Sequence, residues 1–184
     1  IQKIFSSQKL IIFDVEEIST HGGSLRIFVR HSENEIIGIG KNVENLIQKE
    51  KESGINNYNM YSGFSTKIEK NKEKFLEFLV KADKENKTVI CYGAPAKGNT
   101  LLNYFQINSK LIKYTVDLNP HKQGLFLPGT HLEIKSPLEI KNTKPDYIII
   151  LPWNIKDEIM KQLMYVKEWG GKFVIPIPEV EIIS

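Results

Sequence analysis

Apolar positions change rhythm near Asn86, and the change divides the chain. Upstream, Leu10–Val15 and Ser24–Val29 are short runs rich in Ile, Phe and Val. They flank Ser19-Thr20-His21-Gly22-Gly23-Ser24, and such runs around paired glycines predict an antiparallel ribbon with a turn at one end. Val43, Leu46 and Ile47 predict an exposed helix over Asn42–Lys51. Phe64, Ile68, Phe75, Leu79 and Ala82 share one face of a longer helix reaching about Asn86, with a Lys/Glu-rich face opposite. That second face reads as solvated surface.

Beyond Asn86, strand and helix patterns alternate. Strands are predicted over Thr88–Tyr92, Leu111–Asp117, Tyr147–Leu151 and Lys172–Pro176, and helices over Thr100–Gln106 and Ile155–Glu168. An irregular stretch reaches from Asp117 to about Lys144. Asn154 is the expected N-cap of the Ile155 helix, Asp157 and Glu158 occupy its first turn, and Gly170 follows its end. Alternation of this kind implies a parallel sheet with right-handed crossovers. The expected fold is α/β: a Rossmann-like parallel sheet flanked by helices over 87–184. A β-ribbon and helical connector over 1–86 precede it.

Chemistry concentrates where Thr88–Tyr92 ends. Tyr92-Gly93-Ala94-Pro95-Ala96-Lys97-Gly98-Asn99-Thr100 joins a buried strand to a helix, so it offers main-chain N–H groups and a positive helix end to an anion. Lys97 adds a mobile cation. Proline stands where a dinucleotide fingerprint has its second glycine, and the Lys-Ser/Thr ending of a P-loop is missing. A tight structural turn is the competing reading. Asp117 ends the next strand, where a ribose contact or a plain strand-end cap would both fit. Asn119, His121 and Lys122 follow in a turn-rich segment of the kind that is often functional. If Thr88–Tyr92 and Tyr147–Leu151 are neighbours, Pro152-Trp153-Asn154 meets the glycine loop, and ligands of such sheets bind at that switch point. In the ribbon, His21, Gly22, Gly23, Ser24 and Arg26 combine flexible backbone with a bidentate cation. Taken alone, a hairpin turn with Gly-Gly at positive φ explains them better, and only the resemblance below tips the reading toward a ligand.

Composition narrows the classes. The 184 residues carry 25 Lys and Arg against 22 Asp and Glu, interspersed, so no nucleic-acid stripe stands out. No apolar run approaches the roughly 20 residues that span a bilayer, so no membrane partner is expected and a cytoplasmic setting is the default. One cysteine, Cys91, excludes disulfides and cysteine-ligated zinc within this chain. The opening Ile1-Gln2-Lys3-Ile4-Phe5 reads as a helix tail without a start signal, and the chain is expected to be a piece of something longer.

Taken together these segments resemble one family. Phe13-Asp14-Val15-Glu16-Glu17-Ile18-Ser19-Thr20-His21-Gly22-Gly23-Ser24-Leu25-Arg26 is similar to the segment joining the two halves of S-adenosylmethionine-dependent sugar C-methyltransferases, of which the antibiotic deoxysugar 3-C-methyltransferases are best known. Tyr92–Thr100 resembles the phosphate-side loop of their C-terminal domain. So do Asp117-x-Asn119-Pro120-x-Lys122-Gln123-Gly124, Leu127-Pro128-Gly129-Thr130-His131, Leu151-Pro152-Trp153-Asn154 and Glu168-Trp169-Gly170-Gly171-Lys172-Phe173. The resemblance implies a domain that holds a nucleotide-diphosphate sugar, at the residues named above, for an upstream methyltransferase domain. S-adenosylmethionine and zinc are expected in that upstream part, with no cofactor and no catalytic residue in this segment. A nicotinamide-cofactor (NAD(P)) oxidoreductase and a non-catalytic binding or assembly domain remain the alternatives.

Overall fold

The computed structural model describes all 184 residues apart from the side chain of His21. The chain divides into two compact units, Ile1–Ser65 and Thr66–Ser184.

In the first unit a short helix α1 (Gln2–Ser7) precedes β1 (Leu10–Ile18), which pairs antiparallel with β2 (Ser24–His31). The ribbon is longer than its apolar runs predict, with a bulge between Ile12 and Asp14. A 3₁₀ turn over Thr20–Gly22 closes it, and Gly22 and Gly23 both take positive φ, a conformation that glycine adopts without steric cost. Helix α2 (Lys41–Glu52) starts at Gly40, whose N–H donates to Phe13 O at 2.7 Å. A side chain there would press on the Asp14 bulge, with a Cβ 3.2 Å from Asp14 Oδ1. A one-turn helix α3 (Tyr58–Ser62), unpredicted, is capped by the Asn57 carboxamide.

The second unit is built around six strands. After α4 (Phe64–Lys84) come β3 (Val89–Tyr92), α5 (Ala96–Tyr104), β4 (Thr115–Val116) and β5 (Ile134–Lys135). These are followed by α6 (Glu139–Thr143), β6 (Tyr147–Ile150), α7 (Lys156–Gln162), β7 (Lys172–Ile175) and β8 (Glu181–Ile183). The sheet order is β5-β4-β3-β6-β7-β8, parallel throughout except for β8. Successive side chains alternate between two apolar layers. Cys91, Ile149 and Val174 face Phe75, Leu79, Leu102 and Phe105, while Ile90, Ile148, Ile150 and Phe173 face Ile159, Leu163 and Val166. Burial on both faces explains why these strands read as unbroken apolar runs. Among the described residues no helix is long and apolar enough to cross a membrane.

Five expectations are corrected. Helix α5 begins at Ala96, not Thr100, because Pro95 sits extended at the N-cap and the following residues wind at once. The stretch from Asp117 to Lys144 is not wholly irregular, for it holds β5 and α6. The predicted Ile155–Glu168 helix is three pieces: a 3₁₀ turn Trp153–Ile155, α7, and a second 3₁₀ segment Met164–Trp169 ended by left-handed Gly170. Asn154 caps nothing there, since its carboxamide is engaged by Lys97. Lys172–Pro176 is also not the last strand, because β8 returns antiparallel along β7.

Candidate functional site

Strand order places the candidate site. β3 leads to β4 and β5 on one side, and β6 leads to β7 and β8 on the other, so the order reverses between β3 and β6. Their carboxyl ends carry Gly93–Lys97 and Pro152–Asn154, the two loops predicted to meet. Gly93 has φ +88, and a Cβ on it would lie 2.6 Å from Pro152 Cγ. A Cβ on Gly98 would lie 2.7 Å from Leu151 Cβ. These two glycines let α5 and its loop approach the end of β6 closely.

The loop amides divide into two sets. Gly93 N–H donates to Val116 O at 2.6 Å, and Ala94 N–H to Asp117 Oδ2 at 2.7 Å. Pro95 has no N–H, and Asn99 N–H closes the first helical bond to Pro95 O at 3.0 Å. Ala96, Lys97 and Gly98 have no protein acceptor for their N–H groups among the described residues. Three free donors in the first turn of a nine-residue helix are an anion-binding arrangement.

Lys97 lies across the switch point. Its Nζ donates to Asn154 Oδ1 and sits 4.4 Å from the centroid of the Trp153 ring. Partial burial pushes this ammonium below its ordinary pKa. The cation is thus held by one weak π-contact and one neutral carboxamide, with no carboxylate within ion-pair distance among the described residues. An anionic ligand would be a better partner than either. Thr100 hydroxyl bonds back to Ala96 O at 3.0 Å, so it serves the helix itself.

Asp117, Asn119, His121 and Lys122 form a bracket. Asp117 Oδ1 accepts Asn119 N–H at 2.9 Å, and Asn119 Oδ1 accepts His121 N–H at 3.0 Å, two successive side-chain turns. Lys122 Nζ donates to Ala94 O at 3.0 Å and to Asp117 Oδ2 at 3.3 Å. Both Asp117 oxygens are therefore engaged by protein donors. His121 is exposed at the tip. The Leu127–His131 motif has a packing role: Asn103 Nδ2 on α5 donates to Pro128 O at 3.0 Å, and Gly129 leaves room for the Asn103 carboxamide. Trp169 Nε1 donates to Pro145 O at 3.0 Å, which gives the Glu168–Phe173 motif a structural explanation too.

The ribbon residues belong to the other unit. The His21 side chain lies outside the described residues. Gly22 is exposed in the turn, and Gly23 and Ser24 border a shallow hollow of about 590 Å³ with Glu17, Leu46 and Lys49. Lys49 is already paired with Glu17 at 2.7 Å, and Arg26 with Glu16 at 2.9 Å across the ribbon. The hollow is the larger cavity, but its cation is spent. The free donors lie at α5.

A second cavity, of about 180 Å³, opens beyond β3, β4 and β6. Tyr92, Gly93, Asp117 and Pro152 were expected near a ligand. Leu118, Ile155, Glu158 and Gln162 line it as well and were not. Their signal in the sequence is faint: an i,i+4 carboxylate–carboxamide pair on α7, and two apolar residues directly following strand or turn.

A family model described as the C-methyltransferase C-terminal domain matches residues 19–178. C-methyltransferase NovU of Streptomyces niveus is 32% identical over 181 residues, 98% of this chain and 43% of that protein. The chain thus spans less than half of that relative's length. The crystal structure of UDP-D-quinovosamine 4-dehydrogenase from Vibrio fischeri overlays at a TM-score of 0.36 with 17% identity, covering 53% of this chain and 93% of that one. An overlay so loose supports no inference about function.

Proposed function

From the premise that this chain belongs to the C-methyltransferase C-terminal domain family, we propose that its sheet unit binds a nucleotide-diphosphate sugar and positions the sugar for C-methylation. The observation that carries this reading is the set of unspent donors at the β3–α5 turn: three first-turn amides beside the loosely held ammonium of Lys97. A diphosphate supplies the negative charge and acceptor oxygens those groups lack. The reaction asked of the parent protein removes a proton beside a ketone and transfers a methyl group to the resulting carbanion. Fixing the substrate by its remote diphosphate supplies orientation, which is worth several kcal/mol of barrier in well-aligned reactions (roughly 7–11 at the limit).

S-adenosylmethionine supplies the methyl group where it is bound, and we assign both it and zinc to the part of the longer relatives that this chain does not span. Cys91 does not fit a zinc site. It is fully buried in β3, and burial pushes its thiol far above the ordinary range, so no thiolate ligand is available. The ribbon unit is proposed as the connector to that other part.

Titration of the chain with uridine, deoxythymidine, guanosine and adenosine diphosphate sugars tests the reading. Binding to at least one is expected, weakened tenfold or more by Lys97→Ala. Absence of binding to every one of them, with the chain folded, would overturn a diphosphate site within this unit.

A further inference from the structure

Resting on the diphosphate reading, we infer that Lys97 is a site of acylation that regulates the anion turn. An acyl phosphate, seated by its phosphate at the β3–α5 turn, transfers its acyl group to the Lys97 amine and so switches the site off.

The seat of the amine is the first argument. Lys97 Nζ is held by two neutral groups, the Asn154 carboxamide and the Trp153 ring, whose centroid lies 4.4 Å away. Other lysines of the same unit are held as ammonium ions: Lys122 by Asp117 at 3.3 Å, Lys87 by Asp146 at 2.9 Å and Lys156 by Glu181 at 3.4 Å. A carboxylate partner stabilises the charged form, which has no lone pair to give. Neutral, partly dry surroundings favour the free amine, which is the nucleophile. Partial burial accordingly lowers the Lys97 pKa, whereas the bond to Asp146 raises that of Lys87. Lys97 is half-buried and Ala96 beside it is exposed, so a small acyl donor has a path to the amine.

The neighbouring donors are the second argument. The free N–H groups of Ala96, Lys97 and Gly98 lie in the same helical turn that carries this side chain. A phosphate held there keeps its own acyl carbon near Nζ, which turns a bimolecular encounter into a local one. Lys141 offers the comparison within the chain. It also lies over a ring, 4.9 Å from the Tyr165 centroid, but it is exposed and belongs to α6 rather than to this turn.

The step needs no further reactant. Unprotonated Nζ attacks the acyl carbon, the bond from that carbon to the phosphate oxygen breaks, and inorganic phosphate leaves. The proton lost from nitrogen passes to water. The product amide is neutral, so the turn loses its mobile cation and the contact that cation makes with Trp153.

The test treats the folded chain with acetyl phosphate and reads the initial rate of Nε-acetylation at each lysine by peptide mass spectrometry. Lys97 should react tenfold or more faster than Lys122 and Lys141, at a rate that saturates with acetyl phosphate and is suppressed by pyrophosphate. p-Nitrophenyl acetate carries no phosphate and should show only the severalfold preference for Lys97 that its seat provides. Asn154→Asp supplies the missing carboxylate, and should slow Lys97 severalfold toward both reagents while leaving Lys141 unchanged. Chain acetylated at Lys97 should bind pyrophosphate tenfold or more weaker in calorimetric titration. Lys97 reacting no faster than Lys141 toward acetyl phosphate, with pyrophosphate still bound, overturns the acylation site and leaves the diphosphate reading standing. Acetylation of Lys97 that leaves pyrophosphate affinity unchanged overturns the switch. A Lys97 rate that rises linearly with acetyl phosphate, in a folded chain that binds no pyrophosphate, removes the diphosphate reading and the phosphate-directed transfer together.

Discussion

Asp117 accepts the Ala94 amide proton at 2.7 Å, and Lys122 ties the same two residues together by reaching Asp117 Oδ2 at 3.3 Å and Ala94 O at 3.0 Å. The pair fastens the end of β4 to the turn after β3. Its carboxylate also occupies the first amide of the anion turn, so a phosphate is directed onward to Ala96–Gly98.

The Asp117 side chain is 14% exposed, so its bonds are poorly replaced by water. Asp117→Ala strands the Ala94 N–H and the Lys122 ammonium, and should cost about 1–3 kcal/mol. Urea denaturation reads this as an earlier midpoint at unchanged slope. Asp117→Asn keeps the shape and removes a negative charge from the loop, so pyrophosphate should bind it severalfold tighter than the parent chain. An unchanged or weakened pyrophosphate affinity would contradict the directing role.

Lys97 should report on its own site. Removing the ammonium from the Trp153 face forfeits a contact worth about 0.5–1 kcal/mol at such exposure, so Lys97→Ala should unfold close to the parent temperature. In a Trp169→Phe background the emission of Trp153 should change on adding pyrophosphate to the parent chain and stay constant in Lys97→Ala. Equal responses in both would show that the ammonium does not leave the indole for the anion.

Two opposed effects meet at Gly98. Alanine is favoured over glycine inside a helix by about 1 kcal/mol. Its Cβ, however, would stand 2.7 Å from Leu151 Cβ, an atom next to the backbone that cannot swing aside. Overpacking of this kind costs about 1–3 kcal/mol, and the fixed position of Leu151 places the site at the upper end. Gly98→Ala should therefore melt several degrees lower, in scanning calorimetry, despite the better helix former. A rise in melting temperature would mean that α5 slides along β6 freely.

Acid sensitivity should trace in part to Asp146. Burial alone would raise its pKa, but the Lys87 ammonium at 2.9 Å and the Thr88 N–H at 2.8 Å outweigh that and hold the carboxyl below its ordinary range. A carboxylate with a depressed folded pKa stabilises above its unfolded value, about pH 4, and loses that contribution as pH falls through the folded one. Asp146→Asn should be less stable than the parent at pH 7, and the gap should close toward pH 2. A gap that stays constant across that range would remove the linkage.

Much of this was legible in the chain for physical reasons that differ by residue. Ile148–Ile150 and Val89–Cys91 are buried on both faces of the sheet, and that leaves an unmistakable apolar signature. The apolar run Leu111–Asp117 marks β4, though only Thr115–Val116 of it pairs, and β5 pairs through two residues, too few to leave a pattern. The early start of α5 was hidden by Pro95 and two glycines, which resemble a loop until the proline is seen as the N-cap. Asn154 had every local mark of a cap, and a lysine 57 residues away took its oxygen instead. The Tyr92 cavity leaves no local mark, because Leu118 and Ile155 are brought to it from segments that no local window contains together.

Gly93 and Pro152 leave no slack between the two turns that frame the crevice. Backbone there is wedged in place before any guest arrives, so accommodation falls to the side chains of Lys97 and Trp153. Little chain entropy remains to be surrendered on association, and affinity should depend on which phosphate oxygens and ring edges are offered, with induced ordering contributing little.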